Sequence, residues 1–531
     1  MITRYAPQTL FFTLFAAVIL PQLLPAQLNY GLSARDYPES VDYMNNITHS
    51  HSAIRSMPGG LYDSLKFPKL PDARYARAQR QTFANYYSRS EGFLAGGKSA
   101  MLVRPIYQLQ AGVDAGAGET IYESALGFQL SFDVKKKIGG ELRAATGMAS
   151  FADYVDSQVV RTQRIPGWGD FAYADSNGVY SWQHLSGYLS WKPNRIFNLQ
   201  AGRDKHFWGE GYRSLWLSDV SGPMPYLQQS TKIWKLQYTS LFTALSHPGG
   251  ETGRDLRTAY ASFHLISFNA ARWLNLQVFE SVVWQGTDNN RFRGFDVNYL
   301  NPLVFYRPVE YSLGSSDNAM LGFGFGVRIN QNNRFYGQLI LDEFLLREIR
   351  AQNGWWGNKQ GLQLGYKSFN LFRVVGLTLQ GELNMVRPYT YAHGSPQQSY
   401  THAGMPLAHI LGANFTEAIG ILAFDRSRYF FSGKLMVAKY GLDTAGINYG
   451  GNPLLSYFPR PREYGNYIGQ GLTTNLIHAE FKAGWKLKLP FPIVFELTAG
   501  IRRQTAAGQS FNSAWLLGGL KLTLWRSYRD F

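Results

Sequence analysis

From about residue 100 onward, this chain alternates between apolar and polar side chains in stretches of about a dozen residues. In 475–489, Ile477, Ala479, Phe481, Ala483, Trp485, Leu487 and Leu489 fall on one side, and His478, Glu480, Lys482, Lys486 and Lys488 on the other. Successive side chains of an extended strand point to opposite faces, so the segment has one greasy face and one charged face. The pattern recurs in 126–134, 319–329, 375–385 and 493–502, where a helix would scatter the polar residues around its surface. One such strand suits any soluble sheet. A long series of them predicts an all-β fold: a transmembrane antiparallel β-barrel in an outer membrane.

The connections carry the topology. Short turns at 135–140, 192–195, 269–272, 330–334, 369–373, 426–428 and 489–492 alternate with long segments near 153–178, 205–211, 286–318, 346–358, 387–414 and 441–472. Outer-membrane barrels keep short turns on the periplasmic side and long loops outside. Seventeen strands are clear, and one more around 213–218 makes the number even, for a barrel of about 18 strands. Glu280 falls on the apolar face of 273–285, which predicts a bulge or a rim position there. The final strand, 520–525, leads to an aromatic Phe531, which resembles the assembly signal of outer-membrane barrels.

Composition agrees with this class. Mean hydropathy is −0.22 because lumen-facing residues dilute lipid-facing ones, while 15% aromatic residues and 54 glycines suit interface girdles and close strand packing. The absence of cysteine excludes disulfides, a lipid-modified Cys and thiol chemistry. Residues 1–26 read as a signal peptide, with Arg4, an apolar 10–20 and a cleavage site before Gln27. Residues 27–97, interrupted by Pro38, Pro58, Pro68 and Pro71, read as a small periplasmic or lumen-plugging segment, leaving 98–531 for the barrel. The formal charge of +16 suits anionic polysaccharide or lipopolysaccharide phosphate, or equally a lumen and rims lined with Lys and Arg.

No enzyme motif is present, neither G-x-S-x-G, H-E-x-x-H nor a phosphate-binding glycine loop, so neither catalysis nor a cofactor is expected. His393, His402 and His409 share one loop, but their spacing fits no standard metal set. Three stretches are rich in aromatic and planar polar groups: 202–225, 299–318 and 387–414. Rings stack on the apolar face of a sugar, and Arg, Asn and carboxylates pair with its hydroxyls. The candidate glycan-binding residues are therefore Trp208, Glu210, Arg213, Arg307, Glu310, Tyr389 and Tyr391. The competing reading is an ion-pair network that pins the loops inside the barrel.

The G-R-D…F-W-G-x-G…L-x-L-S…P-x-P run at 202–225 and the Y-L-N-P-L…D-N block at 299–318 resemble the Wzi capsule-assembly family. In particular they resemble its branch in gliding, capsule-bearing bacteria, which includes proteins similar to the gliding-motility protein RemB. The resemblance covers roughly 95–531 and implies an outer-membrane barrel of about 18 strands that holds exported polysaccharide at the cell surface. The expected partners are surface polysaccharide or lipopolysaccharide and outer-membrane lipid, with no nucleic acid. Two alternatives stand beside that role: an accessory to gliding motility or surface-adhesin secretion, with a protein partner, and a diffusion channel.

Overall fold

A computed structural model describes residues 42–43, 46, 51–54, 92–96, 99–135, 137–168, 172–175, 178–249, 255–288, 291–300, 317–426, 428–444, 446–487, 493–522 and 528–531. Eighteen antiparallel strands close into a barrel. They are β1 (Ser99–Asp114), β2 (Glu119–Val134), β3 (Ile138–Ser150), β4 (Tyr180–Trp191), β5 (Phe197–Asp204), β6 (Met224–Ile233), β7 (Leu236–Gly249), β8 (Asp255–Ala271) and β9 (Leu274–Gln285), followed by β10 (Asn318–Arg328), β11 (Asn333–Leu341), β12 (Gln360–Phe369), β13 (Leu377–Val386), β14 (Phe415–Arg426), β15 (Tyr429–Leu442), β16 (Leu472–Lys486), β17 (Val494–Ala506) and β18 (Gln509–Lys521). Each pairs with its neighbour in sequence, and β1 pairs with β18 from Gln108↔Lys521 to Asp114↔Trp515, so the sheet has no free long edge. The closed barrel with very little helix is an outer-membrane, multi-pass β-barrel.

The alternation places the faces as expected. In β16, Ile477, Phe481 and Trp485 are about half exposed on the outer wall, whereas His478 and Glu480 are buried toward the lumen. Glu382 and Asn384 of β13 likewise point inward, where they hydrogen-bond one another at 3.0 Å.

Three expectations need correction. Residues 213–218 form no barrel strand; they lie in an inward-folded loop. The even count is met instead by hairpins without a strong turn signature, such as the one at Trp234-Lys235, where Trp234 takes φ +51°. Around Glu280 there is no bulge: the β8–β9 register runs unbroken from Ala259↔Gln285 to Phe268↔Leu276. Glu280 stays on the outer wall, opposite His264 and Leu321. It is tolerated there because it is buried among polar groups, with His264 bonded to Tyr238 and to Ser262 (2.9 Å), and Ser262 reaching the Tyr299 carbonyl of the following connection. The last strand ends at Lys521, and 528–531 sit inside the barrel rather than at its periplasmic foot: Arg529 pairs with Glu123, and Asp530 is fully buried beside Arg213.

The signal segment 1–26 lies outside the described residues. Of 27–97, the described parts touch the barrel interior. Asn46 donates to the Gln331 carbonyl (2.9 Å) at a short turn, His51 meets Ser267 (2.8 Å), and Ile54 bridges to Trp208. A short strand, Gly92–Gly96, pairs with the first residues of β1, so the sheet begins slightly before residue 98.

Candidate functional site

Two of the long connections fold into the barrel instead of standing up from its mouth. Residues 205–223, between β5 and β6, carry Phe207, Trp208, Leu215, Trp216 and Leu217 into the lumen, where Trp208 and Trp216 are fully buried. Trp216 stacks on Phe279 of β9 at 5.4 Å and donates its indole N–H to the Leu339 carbonyl (3.1 Å). Glycine makes the room. A Cβ at Gly322 or Gly324 of β10 would lie 2.5 or 2.4 Å from the Trp216 ring. Residues 387–414, between β13 and β14, lie against this loop. The Ser218 N–H donates to the Leu407 carbonyl (2.7 Å), the Tyr391 hydroxyl to the Leu215 carbonyl (2.8 Å), and the Tyr400 hydroxyl to the Trp216 carbonyl (2.7 Å). Near the mouth, α1 (Asp153–Thr162) buries Val155 and Val159 among Ile106, Ala145 and Trp182.

A charged layer packs with these rings. Glu210 takes Arg334 at 2.6 Å, Ser52 at 2.8 Å and Gln277 at 3.2 Å. Arg213 reaches Glu417 at 3.1 Å and Asp530 at 3.5 Å, while Glu417 also meets His409 at 2.8 Å. The backbone N–H groups of Tyr212 and Arg213 donate to the Glu382 carboxylate at 2.7 and 3.0 Å. A charge taken from water needs such partners to be tolerated. Higher up, Asp342 accepts the Tyr391 N–H (2.8 Å) and faces Lys359 at 3.5 Å; burial raises its carboxyl above the usual carboxylate range against the pull of that lysine.

The five candidate residues that are described, Trp208, Glu210, Arg213, Tyr389 and Tyr391, are all buried. Trp208, Tyr389 and Tyr391 are completely enclosed, which leaves no ring face open to stack on a sugar from outside. Tyr389 and Tyr391 are held at φ +65° and +73° by their surroundings, with the Tyr389 hydroxyl on the Asn448 carbonyl (3.0 Å). Glu210 and Arg213 belong to the buried charged layer. Arg307 and Glu310 lie outside the described residues. The three histidines go separate ways: His409 to Glu417, His402 to the Ser246 N–H (3.1 Å) and His393 to the Ser395 N–H (3.2 Å). Among the described residues no group of three or more His, Asp or Glu could hold a metal ion.

The exposed aromatic surface lies elsewhere, on the connections 342–359 and 443–471. Trp356 packs on Tyr457 at 4.8 Å, and the Arg460 guanidinium sits 4.0 Å over the Trp356 ring. Phe458 is 71% exposed, and Tyr464 and Tyr467 of the same connection are about half exposed. Arg387 ties this surface to the plug by donating to the carbonyls of Asn358 (2.7 Å) and Trp355 (3.3 Å). No sequence motif marked Phe458, Tyr464 or Tyr467; the only signal was their number within one long connection.

The chain is similar in fold to Wzi of Escherichia coli, an outer-membrane, carbohydrate-binding β-barrel involved in group 1 capsule assembly. The match has a TM-score of 0.60 and 13% identity over 94% of this chain and 100% of that one. It is also aligned with the outer-membrane protein OprD of Pseudomonas aeruginosa, with a TM-score of 0.44 and 10% identity over 82% of this chain and 96% of that one. No family model and no curated protein matches the chain. The fold is thus a Wzi-like outer-membrane barrel.

Proposed function

We propose that this barrel binds surface polysaccharide without catalysing a reaction on it, and so anchors or organises capsule or another exocellular glycan. The observation that carries the reading is a barrel whose lumen takes in the connections 205–223 and 387–414 while an aromatic face lies on the connections 342–359 and 443–471. Trp356, Tyr457, Phe458, Tyr464 and Tyr467 offer rings for stacking, and Arg460 and Arg462 offer planar donors. In this reading Trp208, Glu210, Arg213, Tyr389 and Tyr391 form the floor that holds the face in place. Arg307 and Glu310 are candidates for direct contact from the neighbouring connection 286–317. The carbohydrate binding of Wzi points the same way. A diffusion channel is disfavoured by the fully buried Trp208 and Trp216 in mid-lumen.

The test is glycan-array binding of the purified barrel, with capsule retention on cells. Phe458→Ala or Trp356→Ala should each weaken binding about fivefold, the loss of one aromatic contact, without affecting heat-modifiable migration. Unchanged binding and retention in both variants would remove this face from consideration, and steady ion conductance in planar bilayers would restore the channel.

A further inference from the structure

The charge of this protein is sorted by side. The eight short connections, 135–137, 192–196, 234–235, 272–273, 329–332, 370–376, 427–428 and 487–493, carry ten Lys and Arg and no Asp or Glu. The nine connections at the other end carry 14 Lys and Arg against 16 Asp and Glu. The excess positive charge therefore lies on the periplasmic rim, away from the face proposed for glycan. It also has a local pattern. At six of the eight turns a cation stands directly beside an outward aromatic: Trp191-Lys192, Trp234-Lys235, Arg272-Trp273, Phe372-Arg373, Arg428-Tyr429 and Trp485-Lys486. These rings are among the most exposed in the molecule, with Trp234 at 79%, Phe372 at 85%, and Trp191 and Trp273 just over half exposed. The Lys235 ammonium lies 5.0 Å from the Trp234 ring centre. The acid Asp425, at the foot of β14, is taken up by Lys486 at 2.5 Å.

Aromatic rings settle at the level of lipid headgroups, where an apolar body and a polar edge are both accommodated. A cation one residue away then stands at the height of the lipid phosphates. From this pairing, repeated around the rim, we propose that the periplasmic rim is a binding belt for anionic phospholipid headgroups of the inner leaflet. The partner is identified by charge complementarity and by the aromatic neighbours: a soluble polyanion would need the cations but would leave the rings without a role. The inference is independent of the glycan reading, since it concerns the opposite end of the barrel.

The protein itself supplies the probe. Trp208 and Trp216 are enclosed in the lumen, whereas Trp191, Trp234, Trp273 and Trp485 face the lipid, so brominated lipid quenches mainly the belt. The full-length barrel is reconstituted in phosphatidylcholine vesicles containing an equal small fraction of brominated phosphatidylglycerol or brominated phosphatidylcholine. Quenching should be stronger with the phosphatidylglycerol, and the difference should shrink as salt is raised. The variant K235Q/R272Q/R373Q/R428Q, altered at exposed or half-exposed turn positions, should keep heat-modifiable migration and lose the preference by about tenfold. Equal quenching by both lipids, or a full preference surviving in the variant, would overturn the proposal. So would loss of the preference on adding a soluble polyuronate at stoichiometric amount, which would make the rim a polysaccharide site.

Discussion

Arg213 ties the inward loop to two acids, Glu417 of β14 and Asp530 near the chain end, and all three are buried. Without it Glu417 keeps His409 (2.8 Å) and Asp530 keeps Lys434 (3.0 Å), but the buried layer loses the cation that joins them, so Arg213→Ala should cost roughly 3 kcal/mol, read as a lower urea midpoint in detergent. His206, on the same loop, is fully buried against Tyr226, its ring 4.3 Å away, and burial lowers its imidazole to about 4. The folded state therefore binds fewer protons than the unfolded one between that value and the ordinary 6.5. This part of the stability is complete above 6.5 and is lost as pH falls toward 4, a difference on the order of 2–3 kcal/mol. His206→Phe should flatten that slope in unfolding midpoints taken from pH 4.5 to 7.5; an unchanged slope would place the acid sensitivity elsewhere. At this scale the sequence is ambiguous for a physical reason. Trp208, Tyr389 and Tyr391 are equally suited to stack on a sugar or to fill a lumen, and only the path of the chain decides between the two.

Strands were legible because their register is set by period alone. Leu379 faces lipid and Gln380 faces inward, where it donates to the Tyr336 hydroxyl (2.9 Å), as the alternation of β13 requires. Leu379→Arg should destabilise by roughly 2–4 kcal/mol and Gln380→Arg by much less, measured by unfolding in lipid or detergent. Equal costs would mean that the faces are exchanged. Loops were not legible in the same way. A rich mixture of Trp, Tyr, Arg and Glu at 205–223 gave no indication whether the segment projects outward or folds inward. The answer rests on long-range fits such as Trp216 over Gly322 and Gly324. The outward Glu280 is a similar case: its tolerance depends on His264 and Ser262 of the adjacent strand, and no local pattern in β9 announces them.

Taken whole, the barrel has an interior that belongs as much to its connections as to its strands, and this changes where it can be altered. An epitope tag inserted within 398–409 would interrupt buried chain and should abolish heat-modifiable folding. One placed at 458–464, where most side chains are exposed, should fold and bind antibody on intact cells. One at 192–195 should fold and stay hidden until the outer membrane is opened. Labelling of the last on intact cells would invert the assigned sidedness. The same inward packing sets what the surroundings can read. To an antibody or a phage tail fibre arriving from outside, most of 205–223 and 387–414 is out of reach, and the recognisable surface narrows to exposed stretches such as 455–467 and the turn around Leu345 and Leu346. Sequence drift under such pressure would then concentrate in those exposed stretches, while the aromatic-rich segments that look most like display loops would be held still by the packing they provide.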